Sequence, residues 1–385
     1  MGIDVARGLA IVGMIGAHTG SLPELLWRDP STWGSLVHGR SAILFALLAG
    51  VSVALASGGT TRPTGEALRS ARLRMAGRAL VVLAIGLFLE GLGTEIAVIL
   101  PVYGVLFLLV IPFLGLRHRT LLVAAAAIAL LGPLAVATLQ AIALGRSGPG
   151  VLFLLQGTYP IAVWLPLMLT GLALGRQALG TIRAAALLLV AGVLLAGLGY
   201  GVGNAVNSAI GGPREGVPVS DTSSGSDEFD YYYDDVVPGE GGSYVERLQE
   251  IGGFSNVPET AFGVTPHSGG TFETIGSGGF ALAVLGLCLL LARPLRWVLI
   301  PVAALGSMPL TAYSTHVVSI AVIVWPFGLA PTAFGWPPSF DGNGLWASSV
   351  IVLMAACTAW ALTLGRGPAE RLTAWGARRI NGERD

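Results

Sequence analysis

Residues 119–140 read RTLLVAAAAIALLGPLAVATLQ, and residues 182–203 read IRAAALLLVAGVLLAGLGYGVG. As a helix, a stretch of this length rises about 33 Å, which matches the ~30 Å hydrocarbon core of a bilayer. Working outward, runs of similar character occur at about 4–22, 38–57, 74–91, 95–114, 151–175, 273–292, 297–326 and 345–365. In lipid every backbone donor must be satisfied within its own segment. The expected fold is therefore all-α: a polytopic integral membrane protein with about ten transmembrane helices, read as one domain over 1–385. Composition agrees. The 385 residues are 53% hydrophobic and only 11% charged, with a mean hydropathy of +0.73. The charged share is less than half of the roughly 25% of soluble domains, which excludes a soluble globular protein.

The formal net charge of +0 hides a segregation. All the basic side chains are arginine, and between 204 and 272 two arginines face eleven acids, leaving −9 there and +9 elsewhere. Of the 22 arginines, 17 fall on one set of loop edges, from Arg7 through the cluster 62–78 to the tail. The bias of arginine toward the cytoplasm makes both termini cytoplasmic and the acidic 204–272 segment an extracytoplasmic loop between spans seven and eight. Its stretch SDTSSGSDEFDYYYDDVVPGEGG cannot bury a core and is expected to be flexible, whereas SYVERLQEIGGF suits a short surface helix. The N-terminal run reads as a first span and not as a removed signal peptide. Cys288 and Cys357 sit in apolar runs as small hydrophobes, with no disulfide framework or CxxC pattern. The ninth run is too long for one straight span and holds Gly306-Ser307-Met308-Pro309, so a break is expected near Pro309.

The polar residues inside these runs are the candidates for chemistry, because a charge at the bilayer centre costs about 2.5–3.5 kcal/mol on insertion scales. In the first run, Arg7 and His18 are eleven residues apart, which sets them on one helix face about 16 Å apart along the axis. Asp4 lies three residues before Arg7 and can pair with it. His38 and Arg40 open the second run, His267 precedes Glu273 at the entry of the eighth, and His316 follows Pro309. Four of the five histidines thus fall in the outer half; His118, between Arg117 and Arg119, is a cytoplasmic charge cluster. Such a group can supply a general base or a nucleophile. It can also be a set of separate structural residues. His18, His38, His267 and His316 with Glu90 or Glu95 could bind a metal, but no HxxH, HxxxH or HExxH spacing supports this and none is expected. Arg40, with no acid near it in sequence, is a candidate anion anchor or a snorkelling side chain. Tyr159-Pro160 and Trp164-Pro166 kink the sixth run and either line a cavity or belong to an interfacial aromatic belt.

Several motifs in order carry a resemblance. They are Asp4-x-x-Arg7-Gly8 with His18, GRSAILFALLAGVSVAL (39–55), ILPVYGVLFLL (99–109), QGTYPIAVW (156–164), GLALGR (171–176), MPLTAY (308–313) and GRGPAERL (365–372). Together they resemble bacterial YeiB-like membrane proteins and the membrane domain of heparan-alpha-glucosaminide N-acetyltransferase, over nearly the whole chain outside the acidic loop. The Arg7-x10-His18 spacing is also similar to the start of family 3 membrane acyltransferases. The resemblance implies transfer of an acyl group, most simply acetyl, from cytoplasmic acyl-CoA to a cell-envelope saccharide across the membrane. The implied catalytic set is His18, His38, His267 and His316, with Asp4, Arg7, Arg40, Tyr159, Tyr313 and Glu273 binding donor or acceptor. The partners implied are acyl-CoA, an envelope glycan or small-molecule acceptor and the lipid bilayer, with a homodimer left open and no nucleic acid. One departure matters. The heparan enzyme has its active histidine in the connection after the first span of this domain, where this chain reads Asp29-Pro30-Ser31-Thr32-Trp33-Gly34. That histidine is not carried over, and His18 is the candidate by spacing. The rival readings are an exporter of an envelope precursor that uses the broken ninth helix, and a non-catalytic sensor that uses the outer histidines.

Overall fold

Helices in lipid gain little from hydrophobic burial against one another, so close backbone approach at small residues carries much of their packing. The computed structural model describes residues 1–20, 22–94, 96–144, 146, 148–215, 243–250, 253–324 and 343–382, and among these every regular element is helical. In chain order they are α1 (Gly2–Thr19), α2 (Arg40–Ala56), α3 (Gly65–Glu90), α4 (Leu100–Val110), α5 (His118–Ile142), the single turn α6 (Pro149–Val151), α7 (Ile161–Gly175) and α8 (Ile182–Ile210). The short α9 (Tyr244–Glu250) and α10 (Val257–Ala261) precede α11 (Thr271–Leu291), α12 (Ile300–Ser307), α13 (Pro309–Ser319), α14 (Gly344–Thr363) and α15 (Pro368–Ile380).

Where about ten spans are expected, four helices among the described residues are long and apolar enough to cross a membrane by themselves: α5, α8, α11 and α14. The 3-10 turn Pro30–Val37 and α2, bent by 42° at Gly39, make a fifth if the pair is one span. The other runs fall short for local reasons. Prolines trim α4 and α7 to 11 and 15 residues, and α1 spends Asp4, Arg7 and His18 out of its 18. α3 carries Arg69, Arg72, Arg74 and Arg78 up to its midpoint. The ninth run breaks where expected, at Met308, with φ −130° and ψ 58°. Pro309 has no N–H to give and pushes its predecessor out of the helical region. The open start of α13 is then covered from α15: Glu370 Oε1 accepts from Leu310 N at 2.8 Å and Thr311 N at 3.2 Å, and Thr311 Oγ1 donates to Oε2 at 2.5 Å. A carboxylate there satisfies orphan amides and meets the positive end of the helix dipole.

Two tight crossings build the centre. A Cβ on Gly50 would stand 2.0 Å from the Met168 carbonyl oxygen and one on Gly171 1.9 Å from that of Leu47, so α2 and α7 touch backbone to backbone. In the same way Gly192 and Gly279 let α8 and α11 meet. α11 is central, with 56% of its most apolar window buried, whereas α14 lies at the margin with 6%. At the end of α7, Arg176 is 7% exposed and donates to the carbonyls of Ala54, Ser57, Gly59 and Leu114 and to Ser57 Oγ, at 2.9–3.2 Å. One guanidinium thus ties the ends of α2, α4 and α7. A point ammonium cannot span these acceptors, so Arg176→Lys is expected to cost about 2 kcal/mol. A lowered Tm in detergent, against an unchanged Tm for the exposed Arg183→Lys, is the check.

Of the acidic 204–272 segment, residues 216–242 and 251–252 lie outside the described residues, and with them the stretch expected to be flexible. The short helix expected in SYVERLQEIGGF is α9, and Tyr244 Oη donates to the Ile142 carbonyl at 2.7 Å, holding it to the end of α5.

Candidate functional site

The break at Met308 turns α13 so that His316 faces α1. His316 is 1% exposed, and its Nε2 lies 3.2 Å from His18 Nδ1, with the two rings parallel to within 6°. Tyr313, one turn earlier on α13, sets its ring edge-on to His18 at 6.3 Å and accepts at Oη from Ile99 N at 3.3 Å. One proton joins the two imidazoles, and its position decides their roles. When His18 Nδ1–H donates, its Nε2 lone pair is a base, and the imidazolium formed on protonation keeps the bond to His316. His316 Nδ1 is buried with no hydrogen-bond partner among the described residues.

A second imidazole pair lies toward the outer connections. The His38 and His267 rings meet edge-on at 5.7 Å, and Tyr159 packs edge-on against His267 at 5.9 Å. His38 is within electrostatic reach of both His267 and His18. His267 has φ +63°, a conformation costly for a side chain with a Cβ and one that functional sites hold by surrounding contacts. Glu273 supplies those contacts. Its Oε1 accepts from His267 N at 2.7 Å, and its Oε2 accepts from Gly269 N at 2.8 Å and Ser268 Oγ at 3.3 Å. The Glu273 carboxylate therefore builds the loop that carries His267. His267 Nδ1 lies 3.0 Å from the Thr158 carbonyl oxygen, which can only accept, so Nδ1 carries the proton. Burial, and secondly His38, pull the His267 pKa from 6.5 to about 4, so the ring is neutral at pH 7.

The pairing expected from spacing forms: Arg7 Nη1 donates to Asp4 Oδ1 at 2.8 Å, and Nη2 to Ser52 Oγ at 2.9 Å. Arg40, without an acid nearby in sequence, has one in space. Its side chain is 1% exposed, bonds Glu215 Oε1 at 2.5 Å and Tyr200 Oη at 2.7 Å, and lies over the rings of both Trp27 and Tyr200, which pack against each other. An arginine so deep does not snorkel. The Glu215 main chain is clamped as well: its carbonyl accepts from Trp27 Nε1 and Asn204 Nδ2, and its N–H donates to Asn204 Oδ1. Tyr159 Oη donates to the Ala97 carbonyl at 3.0 Å, which with the Tyr313–Ile99 bond pins the approach to α4 from α13 and from the connection before α7.

Trp27, Tyr200 and Glu215 were beyond sequence reasoning, because their partner Arg40 is 160 or more residues away for two of them and no local pattern links them. Tyr103 also escaped notice; it is 1% exposed, and its hydroxyl is buried without a hydrogen-bond partner among the described residues. The four imidazoles do come together as two pairs, while Arg7 and Arg40 are each held by their own carboxylate. Among the described residues no group of three or more His, Cys, Asp or Glu is placed to hold a metal ion; Glu95 lies outside them.

Apolar helices that can cross a bilayer, closed around buried imidazoles and paired guanidiniums, define an integral membrane protein with a polar interior. The family model for heparan-alpha-glucosaminide N-acetyltransferase, catalytic, matches residues 1–197, just over half of the chain. The chain belongs to that family of membrane acetyltransferases. No curated protein and no solved structure matches it. The matched stretch holds Asp4, Arg7, His18, His38, Arg40 and Tyr159; His267, Glu273, Tyr313 and His316 come from the part beyond it.

Proposed function

We propose that the protein moves an acetyl group from cytoplasmic acetyl-CoA to a hydroxyl or amine of an extracytoplasmic cell-envelope saccharide or similar acceptor. On this reading it lies in the plasma membrane with about ten crossings, some of them short or broken, and with both termini in the cytoplasm. The observation that carries the reading is the part-buried His18–His316 pair, on helices that start from the arginine-rich side and end among the outer connections. His18 takes the acceptor proton at Nε2 as the acceptor oxygen or nitrogen attacks the thioester carbonyl; the C–S bond breaks, and the thiolate of CoA takes that proton from the imidazolium. In the two-step form of the same transfer, Nε2 attacks first and hands the acetyl group to the acceptor. His316 holds the His18 ring, and His38 and His267 shape the acceptor side. Tyr313 and Tyr159 close the wall between them. Arg7, fixed by Asp4 and Ser52 deeper on α1, faces the donor, and Arg40 and Glu273 secure the outer connections.

The test is release of free CoA thiol by the purified full chain, given acetyl-CoA and a panel of saccharide acceptors. Acceptor-dependent release, together with a rise in Tm on adding acetyl-CoA, is expected. Absence of release with every acceptor would sink the reading, with or without a rise in Tm. An exporter or a sensor gives no release.

A further inference from the structure

We propose that Arg78 and Arg366, with Arg74 beside them, form a binding site for a phosphate ester where the middle of α3 faces the approach to α15. On the acetyltransferase reading, on which this ligand assignment rests, the ester is the nucleotide end of the CoA donor. Arg74 and Arg78 are one turn apart on α3, and Arg78 lies in the field of both Arg74 and Arg366. Like charges at this spacing disfavour a helix. Nothing described offsets them for two of the three: none of the ion pairs among the described residues includes Arg78 or Arg366, and Arg78 Nε is buried with no hydrogen-bond partner. The acid next to Arg366 along the chain, Glu370, is committed to the start of α13.

The framework that holds the arginines is tight. A Cβ on Gly77 would stand 2.3 Å from the Gly376 carbonyl oxygen, so α15 lies directly on α3 between Arg74 and Arg78. A Cβ on Gly367 would stand 2.3 Å from Glu370 Oε2, which pins the residue after Arg366, and the Arg366 carbonyl accepts from Trp360 Nε1 at 3.2 Å. A guanidinium fork suits phosphate oxygens, which it can meet with two parallel N–H bonds. The site also lies at the correct end of the route. Glu370 joins this corner to the first turn of α13, and His316 is seven residues on from Pro309, a rise of about 10 Å that the pantetheine arm of CoA can cover. A phosphate ester at this corner and a thioester near His18 are thus compatible with a single extended ligand.

Two sources offer this chemistry, the phosphates of CoA and the headgroup of an anionic lipid, and the experiment separates them. The full chain in detergent is titrated calorimetrically with CoA, dephospho-CoA and adenosine 3′,5′-bisphosphate, and co-purifying phosphatidylglycerol is counted by native mass spectrometry. Arg78→Gln and the exposed Arg366→Gln are each expected to raise the Kd for CoA about tenfold, the loss of one charge-assisted contact. Both should narrow the gap between CoA and dephospho-CoA. His18→Ala, at the far end of the ligand, should keep the Kd for CoA. Unchanged CoA binding in both arginine variants overturns the proposal, and loss of phosphatidylglycerol alone in those variants reassigns the corner to lipid and overturns the nucleotide assignment. Arginine-dependent CoA binding without any acyl transfer leaves this site standing and rejects the transferase reading. Transfer with an unchanged KM for acetyl-CoA in both variants does the reverse.

Discussion

Replacing His18 by Ala is expected to lower acceptor-dependent CoA release by about 10²- to 10⁴-fold, the usual worth of a positioned general base, with a larger loss if His18 carries the acetyl group itself. Its Nδ1 is engaged by His316, so the side chain is oriented, and its Nε2 makes no hydrogen bond among the described residues. The effect should fall on kcat, with Tm within a few degrees of wild type, since only one buried hydrogen bond is lost. His316→Gln offers a sharper comparison. A role limited to holding the His18 ring predicts a smaller loss and a changed pH profile of kcat. Transfer at the wild-type rate in His18→Ala would remove the mechanism and leave the family assignment untouched.

Arg40→Met is expected to cost about 3–5 kcal/mol of stability, because it strands the Glu215 carboxylate in a buried setting with no cation to meet it. The pair is 1% and 7% exposed, so solvent does little to screen it. Arg40→Met combined with Glu215→Met should recover most of that loss, since apolar side chains of similar volume remove both charges together. Tm of the two variants, and limited proteolysis of the segment after Gly211, report the result. The double variant also separates two uses of Arg40. A latch for the outer connection loses Tm in the single variant and regains it in the double. An anchor for an anionic acceptor loses transfer in both. Equal Tm for the single variant and wild type would refute the latch.

Much of this was legible in the sequence, and particular residues show how far. The Asp4–Arg7 pair follows from a spacing of three on one helix, a local rule that holds as soon as α1 forms. The break at Met308 follows from Pro309, whose ring acts on its own neighbours. The short helix α9 follows from the pattern in SYVERLQEIGGF. The number of spans is less secure, because apolar length in sequence does not say where prolines and arginines will trim a helix; α4 and α7 come out at 11 and 15 residues. Depth is a poor guide to partners as well. It put His18, His38, His267 and His316 at one level, yet not which imidazole meets which.

What the sequence determined by itself is the helical class, the polar rows and the local breaks, since hydropathy, helical periodicity and proline act within a turn or two of the residue that causes them. What only the tertiary structure decided is the set of partners. Arg40 finds Glu215 over 175 residues, His18 finds His316 over 298, and Glu370 reaches back to Thr311 over 59. Each of these buried polar groups needed a partner, and a low-dielectric interior makes that need strong. The need is written in the residue type. The identity of the partner depends on which helices lie side by side, and that is set by the glycine contacts of α2 with α7 and of α8 with α11, which act across the whole bundle.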